Sequence, residues 1–558
     1  MTTVLEAREP SARYLDAVQP ALVRQFELMA TAPGSVVRLR ELILSLAVQG
    51  KLVPQDPSDE PAFIFVELIG SRQPSRSRGG PRNQTADALS TKEEAPFGLP
   101  VGWQWARLGS IFTLQYGAAL PEKTRVAGSI PVYGSNGQVG THCEALVHDP
   151  SLVIGRKGSV GAVNLTSGPF WPIDTSYFVS PPDGVHLHFA YWLFRSLRLG
   201  RHDKATAIPG ISRNDVYRET IALPPTAEQA RIVARVDELM RLCDALEAKG
   251  RLEAEQHARL LGALLGTLTD SSTPEELAAN WQRVAEHFDL LLDRPEAVDA
   301  LEQIILQLAV RGLLVAQDPN DEPADDFLQR LRDQRLRLRT ERRGKRDELW
   351  SPIESGLYEL HPRWVWTTIE DIADVGTGTT PSRDNEAFFA GGTIPWVTSG
   401  ETGQPFIRST AQHVTETALA KTSLTVYPVG TLIVAMYGQG KTRGQVSELC
   451  LAATTNQACA AIVLMEQSAV HRDFIKLVFE KSYDEIRELS AGGAQPNLNV
   501  GKVKASLIPL PPLAEQARIV ARVTELRRLC ADLRQRLTAS QTTQSHLAGA
   551  LVEQAAAA

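Results

Sequence analysis

The sequence predicts an α/β (α+β) protein in which two mixed α/β domains are joined by long antiparallel helices, the whole forming a pseudo-two-fold cyclic repeat. Three observations predict it. The segment LPPTAEQARIVARVDELMRLCDAL at 223–246 returns at 510–533 as LPPLAEQARIVARVTELRRLCADL, with AEQARIVARV identical. A second segment, RLRELILSLAVQGKLVPQDPSDEPA at 38–62, returns at 300–324 as ALEQIILQLAVRGLLVAQDPNDEPA. Two blocks of short apolar runs bounded by glycine also follow one order. Self-similarity of this strength fixes architecture before any local reading.

The first repeat has a helical period. Ile232, Val236, Leu239, Cys243 and Leu246 recur at alternating steps of four and three, as do Ile519, Val523, Leu526, Cys530 and Leu533. Such a seam, with charges elsewhere, predicts two long helices packed on each other or on partners. Pro224-Pro225 and Pro511-Pro512 end a strand and open the helix. Thr226 and Gln229 have capping-box spacing, but Leu513 replaces the threonine in the second copy, so the box is optional.

Bulk properties narrow the class. A chain of 558 residues with 43% hydrophobic content has room for roughly three or four domains. No apolar run approaches a membrane span, and the N-terminus has no signal-peptide core, so a cytoplasmic protein is expected. The five cysteines show no metal-binding or redox spacing and read as reduced thiols. A net charge of −7 argues against non-specific avidity for nucleic acid, so any such contact must come from local basic surface.

Taken in order, residues 1–95 form an N-terminal helical segment and basic linker. In 38–62 and 300–324 a helix with Ile43 and Leu46, or Ile305 and Leu308, on its apolar face should end at Gly50 or Gly312 before a Gln-Asp-Pro loop. An acidic metal loop of Asp56, Asp59 and Glu60 is the weaker reading, because acids flanked by proline usually make turns. The polar stretch 71–95 carries Arg72, Arg76, Arg78 and Arg82; its counterpart, 330–346, is more helical and more basic. Either stretch is a solvated face or a phosphate contact.

Residues 96–222 form the first α/β domain. Its strands are expected in IPVYGSNG, LVIGRKGSVGAVNL and WPIDTSYFV, followed by the helix HFAYWLFRSL. Residues 223–358 form a central helical region, with breaks expected at Gly250 and Gly312. Residues 359–509 repeat the domain plan: Trp364 and Trp366 answer Trp103 and Trp105, TIPWVTSGETG answers SIPVYGSNG, and TLIVAMYGQGKTRG answers LVIGRKGSVG. The scaffold corresponds while the loops differ in length and chemistry, as two recognition domains of different specificity would. Residues 510–558 supply a C-terminal helix that pairs with the central region. Joined end to beginning, the termini would rebuild the middle of the chain.

No catalytic constellation is present. The sequence has no GxxxxGK[ST] loop, GxSxG elbow, HExxH or zinc spacing. GRKGSVG at 155–161 lies between apolar strand residues rather than opening a helix, which disfavours a nucleotide site. An Asn- or Asp-Pro-Pro-aromatic tetrapeptide of an amino-methyltransferase is missing as well.

The duplicated LPP-x-AEQ-x-RIV helix, the Gln-Asp-Pro segments and the W-x-W domain openings resemble type I restriction–modification specificity subunits over nearly all of 34–552. The series IPVYGSNG, VIGRKGSVG and PIDTSYFV is similar to one type of target-recognition domain, and GTGTTPSRDN with GGTIPWVTSGE to another. The resemblance implies a non-catalytic subunit that binds a split double-stranded DNA target, one half per domain. It implies two modification subunits carrying S-adenosylmethionine and methylating adenine N6, and restriction subunits using ATP and Mg. The helices between the domains would then set the spacer between half-sites. A protein-interaction scaffold without DNA specificity is the alternative, and a degenerate methyltransferase a third reading.

Residues of suitable chemistry for DNA lie in the loops. In the first domain they are Ser135, Asn136, Arg156, Lys157, Ser159, Arg213 and Asn214. In the second they are Thr379, Thr380, Ser382, Arg383, Ser399, Tyr437, Gln439, Lys441, Arg443, Asn497 and Asn499. A solvated turn is the competing reading at each. The four tryptophans, repeated in domains of different loops, are expected in cores rather than stacked on bases.

Overall fold

The computed structural model describes residues 32–72, 97–202, 210–271, 273–341, 358–437, 442–483 and 498–557. Contacts divide the chain into two compact units, one comprising residues up to 254 with 540–558, the other 255–539.

In the first unit, α1 (Ser35–Val48) ends on Gly50, whose φ of +70° turns the chain out of the helix while Lys51 N–H closes back on the Leu46 carbonyl at 2.9 Å. That is the glycine stop expected from the sequence. After the Gln-Asp-Pro loop comes α2 (Ala62–Arg72), a helix that the sequence pattern does not separate from the linker. The strands are β1 (Gln104–Arg107), β2 (Gln115–Tyr116), β3 (Ile130–Gly134), β4 (Gly137–His142), β5 (Leu152–Gly155), β6 (Val163–Leu165), β7 (Trp171–Pro172), β8 (Ser176–Val179) and β9 (Thr220–Leu223). They form a four-stranded sheet in the order β2-β8-β5-β6, a three-stranded sheet β4-β3-β7 and the ladder β1-β9. Helices α3 (Leu187–Ser196) and α4 (Arg213–Tyr217) precede the long α5 (Thr226–Asp270).

The second unit contains α6 (Pro274–Glu286), α7 (Pro295–Val310) and α8 (Ala324–Glu341). Its strands are β10 (Val365–Thr368), β11 (Ala373–Thr377), β12 (Ile394–Val397), β13 (Phe406–Ile407), β14 (Gln412–Val414), β15 (Leu432–Ala435), β16 (Val446–Leu449), β17 (Thr454–Thr455), β18 (Cys459–Leu464) and β19 (Leu507–Leu510). The sheet orders β11-β18-β15-β16-β13 and β14-β12-β17 and the ladder β10-β19 repeat the first unit's plan. Even the mixed pairing recurs: β3 runs parallel to β7 and antiparallel to β4, as β12 does to β17 and β14. Helices α9 (Ala469–Lys481) and α10 (Val500–Lys504) lead to α11 (Leu513–Ala557).

The seams are buried within each unit's own core. Ile232, Val236 and Cys243 pack with Ile43, Leu44 and Ala47 of α1, with Leu239 partly covered. Ile519, Val523 and Cys530 pack with Leu301 and Ile305 of α7, with Leu526 and Leu533 partly covered. Leu246 is half-buried. The cyclic repeat is also visible: α5 leaves the first unit after 254, and the last part of α11, from 540, belongs to the first unit. There Ala548, Leu551 and Val552 pack on Ala32 and Leu39. In the second unit Leu261, Leu265 and Leu268 of α5 join the core that holds Val298 and Leu301.

Two local expectations are corrected. Gly250 breaks nothing, because α5 runs through it to Asp270. A single exposed glycine costs a helix about 1 kcal/mol, too little to end one anchored at both ends. The capping box at Thr226 does not form either. The Thr226 hydroxyl donates to the Gly184 carbonyl at 3.0 Å, and Gln229 Nε2 donates to Gly184 and Pro224 carbonyls at 3.0 and 3.2 Å. Gln516 repeats the last bond to Pro511 at 2.9 Å. The glutamine is therefore needed to fasten the strand-to-helix corner, which explains its presence where no threonine precedes it.

Candidate nucleic-acid interface

The repeated residues build the frame that carries the loops. β1 pairs with β9 so that Trp105 faces Ala222, and β10 pairs with β19 so that Trp366 faces Pro509. This places Trp103 and Trp364, each 7% exposed, over the start of the long helix. Trp103 donates its indole N–H to Glu228 at 3.0 Å and Trp364 donates to Glu515 at 3.1 Å. Gln317 adds a bond to Glu515 at 2.6 Å, while Gln55 turns its carbonyl to Trp103 at 3.3 Å. Burial pushes both glutamate carboxyls up, and the donated hydrogen bonds offset part of that shift. Arg231 pairs with Asp59 at 2.6 Å and Arg518 with Asp321 at 2.7 Å. Asp56 accepts from the Ser58 backbone and hydroxyl at 2.9 and 2.7 Å, which hold its carboxyl below the usual range. Asp56 and Asp59, two of the three acids considered for a metal loop, thus serve a turn and an ion pair. Among the described residues no cluster of His, Cys, Asp and Glu could hold a metal ion.

In the first unit the structure gathers the expected loop residues. A Cβ on Gly155 would lie 2.5 Å from the Ser135 carbonyl and 2.1 Å from that of Ser159, so only glycine lets the loop bearing Ser135 and Asn136 meet the one bearing Arg156, Lys157 and Ser159. Lys157 bridges to Gly210, and Ile211 N–H donates to the Arg156 carbonyl at 3.1 Å, bringing in the start of α4. Ser212 caps that helix by accepting from Asn214 N–H at 3.2 Å, and Arg213 stands in its first turn. Asn136, Lys157 and Asn214 are exposed. Sequence reasoning missed Tyr116, which is exposed on β2 and lies under both Arg156 and Arg213. Burial, with Tyr116 adjacent, pushes the phenol of neighbouring Tyr177 up.

In the second unit the loop after β11 carries Thr379, Thr380, Ser382 and Arg383. Gly378 lets it touch the β17 backbone, since a Cβ there would sit 1.5 Å from the Thr455 carbonyl oxygen. Thr380 hydrogen-bonds Gln457, and Arg383 reaches Gln412 at 3.4 Å. These two glutamines were not singled out from the sequence, which places them in other segments. The Thr379 carbonyl accepts from Trp396 at 3.2 Å. Ser399 opens a 3-10 turn closed by a Thr398–Glu401 capping box. Tyr437 is exposed and Arg443 half-buried on the flanks of the cognate loop. Gln439, Lys441 and Asn497 lie outside the described residues. Asn499 caps α10 by accepting from Lys502 N–H at 2.8 Å, the place of Ser212 in the first unit. Its carbonyl oxygen is thereby given a structural duty.

A duplicated α/β unit with one shared frame and two unlike loop sets defines a paired recognition protein. The type I restriction modification DNA specificity domain profile matches 100–256 and 363–540, so the chain belongs to that family and is a specificity subunit of such a system. It is 29% identical to the EcoEI specificity subunit of Escherichia coli, covering 93% of this chain and 94% of that one. The EcoAI specificity subunit of the same organism gives the same identity and coverage. A structure titled for complex assembly and conformational transition of the type I system aligns at 17% identity and a TM-score of 0.47, covering 83% of this chain and 99% of that one. No helix among the described residues is long and apolar enough to cross a membrane.

Proposed function

We propose that residues 96–222 and 359–509 are two target-recognition domains, each reading one half of a split double-stranded DNA target. The frame is common and the loops are not, and this observation carries the reading. Residues 1–95, 223–358 and 510–558 supply the helices and segments that hold the domains. Arg156, Lys157, Ser159, Arg213, Asn214, Ser135 and Asn136 contact the first half-site. Thr379, Thr380, Ser382, Arg383, Ser399, Tyr437, Gln439, Lys441, Arg443, Asn497 and Asn499 contact the second, Asn499 through whatever its cap leaves available. Arginine, lysine, asparagine and glutamine suit base edges, whereas serine and threonine suit phosphates.

The chain scaffolds two modification subunits in the cytoplasm. These bring S-adenosylmethionine and methylate adenine N6; restriction subunits bring ATP and Mg. This chain contributes the choice of site. The test is to express it with its modification partner and sequence the methylated positions of a plasmid library. A single split motif supports the reading. A methylated motif unchanged when this chain is replaced by an unrelated specificity subunit opposes it, and favours a scaffold without DNA specificity.

A further inference from the structure

Tyr116 lies at the end of the edge strand β2, paired across from Tyr177, and is 49% exposed. Two arginines from distant segments converge on its ring. The Arg156 guanidinium carbon is 4.9 Å from the ring centroid and that of Arg213 is 5.1 Å away. Each has a second aromatic neighbour, Tyr177 at 5.8 Å for Arg156 and Tyr217 at 5.9 Å for Arg213. Each also donates to a main-chain carbonyl, Arg156 to Asp174 at 3.1 Å and Arg213 to Leu114 at 3.4 Å. The carbonyl and the rings together restrict both the position and the plane of each fork.

Neither arginine is paired with a carboxylate among the described residues, unlike Arg201 or Arg231, each of which is neutralised by one at 2.5 or 2.6 Å. Two cations drawn to one ring repel each other. The repulsion is relieved when acceptors arrive. A guanidinium held in a fixed plane matches the paired O6 and N7 acceptors of guanine in the major groove. A phosphate is served as well by a mobile point charge, and the exposed Lys157 beside the pair can supply one.

We propose that Tyr116 is a positioning residue that holds Arg156 and Arg213 as two guanine-reading forks, so that the first half-target contains guanine whose recognition depends on all three residues. The inference rests on the proposed reading of this domain as a DNA reader.

The experiment uses the full chain assembled with its methyltransferase partner and a duplex library randomised over the half-site of the first domain. Arg156→Lys and Arg213→Lys keep the charge but lose the fork. Each relaxes selection at a guanine position, with a loss of roughly five- to a hundred-fold for the matched base. Tyr116→Leu relaxes the same positions, and Tyr116→Phe, which keeps the ring, restores them. Selection at the second half-site stays unchanged in every variant and serves as the internal control. The two lysine variants carry the test if Tyr116→Leu lowers the melting temperature. Equal weakening on all sequences with unchanged base preference would make the pair a phosphate contact and overturn the inference. So would a wild-type half-target with no guanine. A wild-type complex that selects no split target would instead sink the underlying reading.

Discussion

Glu515 accepts the indole N–H of Trp364 at 3.1 Å across 151 residues of chain, and Glu228 and Trp103 repeat the bond at 3.0 Å. This pair joins the W-x-W strand to the AEQ helix. It is buried on both sides, Glu515 being 1% exposed. Replacing Glu515 by alanine would strand the indole donor and leave the Gln317 amide only its bond to the Gly312 carbonyl at 3.2 Å. The expected cost is roughly 1–3 kcal/mol, read as a lower midpoint in denaturant titration of the full chain. Glu515→Ala with an unchanged midpoint would contradict a structural role for the pair.

The two copies differ in the sign of one ion pair. In the first unit Arg40 of α1 meets Asp244 and Glu247 of α5 at 2.6 and 2.7 Å. In the second unit Glu302 of α7 meets Arg534 of α11 at 2.9 Å, with Asp299 joining at 2.7 Å. Repeat alignment matches Arg40 to Glu302 and Glu247 to Arg534. Arg40→Glu should therefore destabilise the first unit, by about 1 kcal/mol for partly exposed charges. Adding Glu247→Arg to the same chain should recover most of it. A double mutant no more stable than Arg40→Glu would show that the pair does not couple.

Gly50 and Gly312 stop α1 and α7 with φ of +70° and +73°. A Cβ on Gly50 would lie 2.5 Å from Pro100 Cγ, and one on Gly312 3.0 Å from the Trp364 ring. Both alanine variants carry the backbone strain of a left-handed alanine, roughly 1 kcal/mol, and Gly50→Ala adds a clash with Pro100, so it should lose the more of the two. Gly250→Ala, inside a regular helix, should instead stabilise by up to about 1 kcal/mol. Chemical denaturation of the three variants checks the order.

His471 is fully buried at the start of α9, its Nδ1–H donating to Gln516 Oε1 at 2.9 Å and its ring edge-on to Phe327. Burial lowers its pKa, more than the Gln516 bond raises it. Nε2 has no hydrogen-bond partner among the described residues, so a second proton would find no acceptor there. The unfolded chain then binds more protons than the folded one as pH falls through about 6.5, and stability falls with it. His471→Leu should flatten that part of the stability profile. An identical slope in wild type and variant between about pH 7.5 and 5.5 would oppose the assignment.

The frame was legible because it is written twice. Identical residues at 227–236 and 514–523 marked the long helices, and Gly50 and Gly312 marked their neighbours' ends. The roles of Glu228, Gln229 and Arg231 were hidden, since their partners Trp103, Gly184 and Asp59 come from three other segments. The interface was legible as loop chemistry only. Tyr116 carried no signal, because a tyrosine on a two-residue strand acquires meaning only when Arg156 and Arg213 meet over it. Asn499 shows the converse: an asparagine suited to a base edge is equally suited to a helix cap, and α10 uses its side-chain oxygen so. Gly250 misled because glycine punctuation is weighed locally, while α5 is held by packing toward each end and runs exposed through 247–256 between them.

The central claim is that each unit reads its own half-target. The most direct measurement replaces 98–222 with a recognition domain of different loops, assembles the chimera with its modification partner and sequences the methylated motif. The account predicts that one half of the motif changes while the other half is retained. A change in both halves, or in neither, would contradict it.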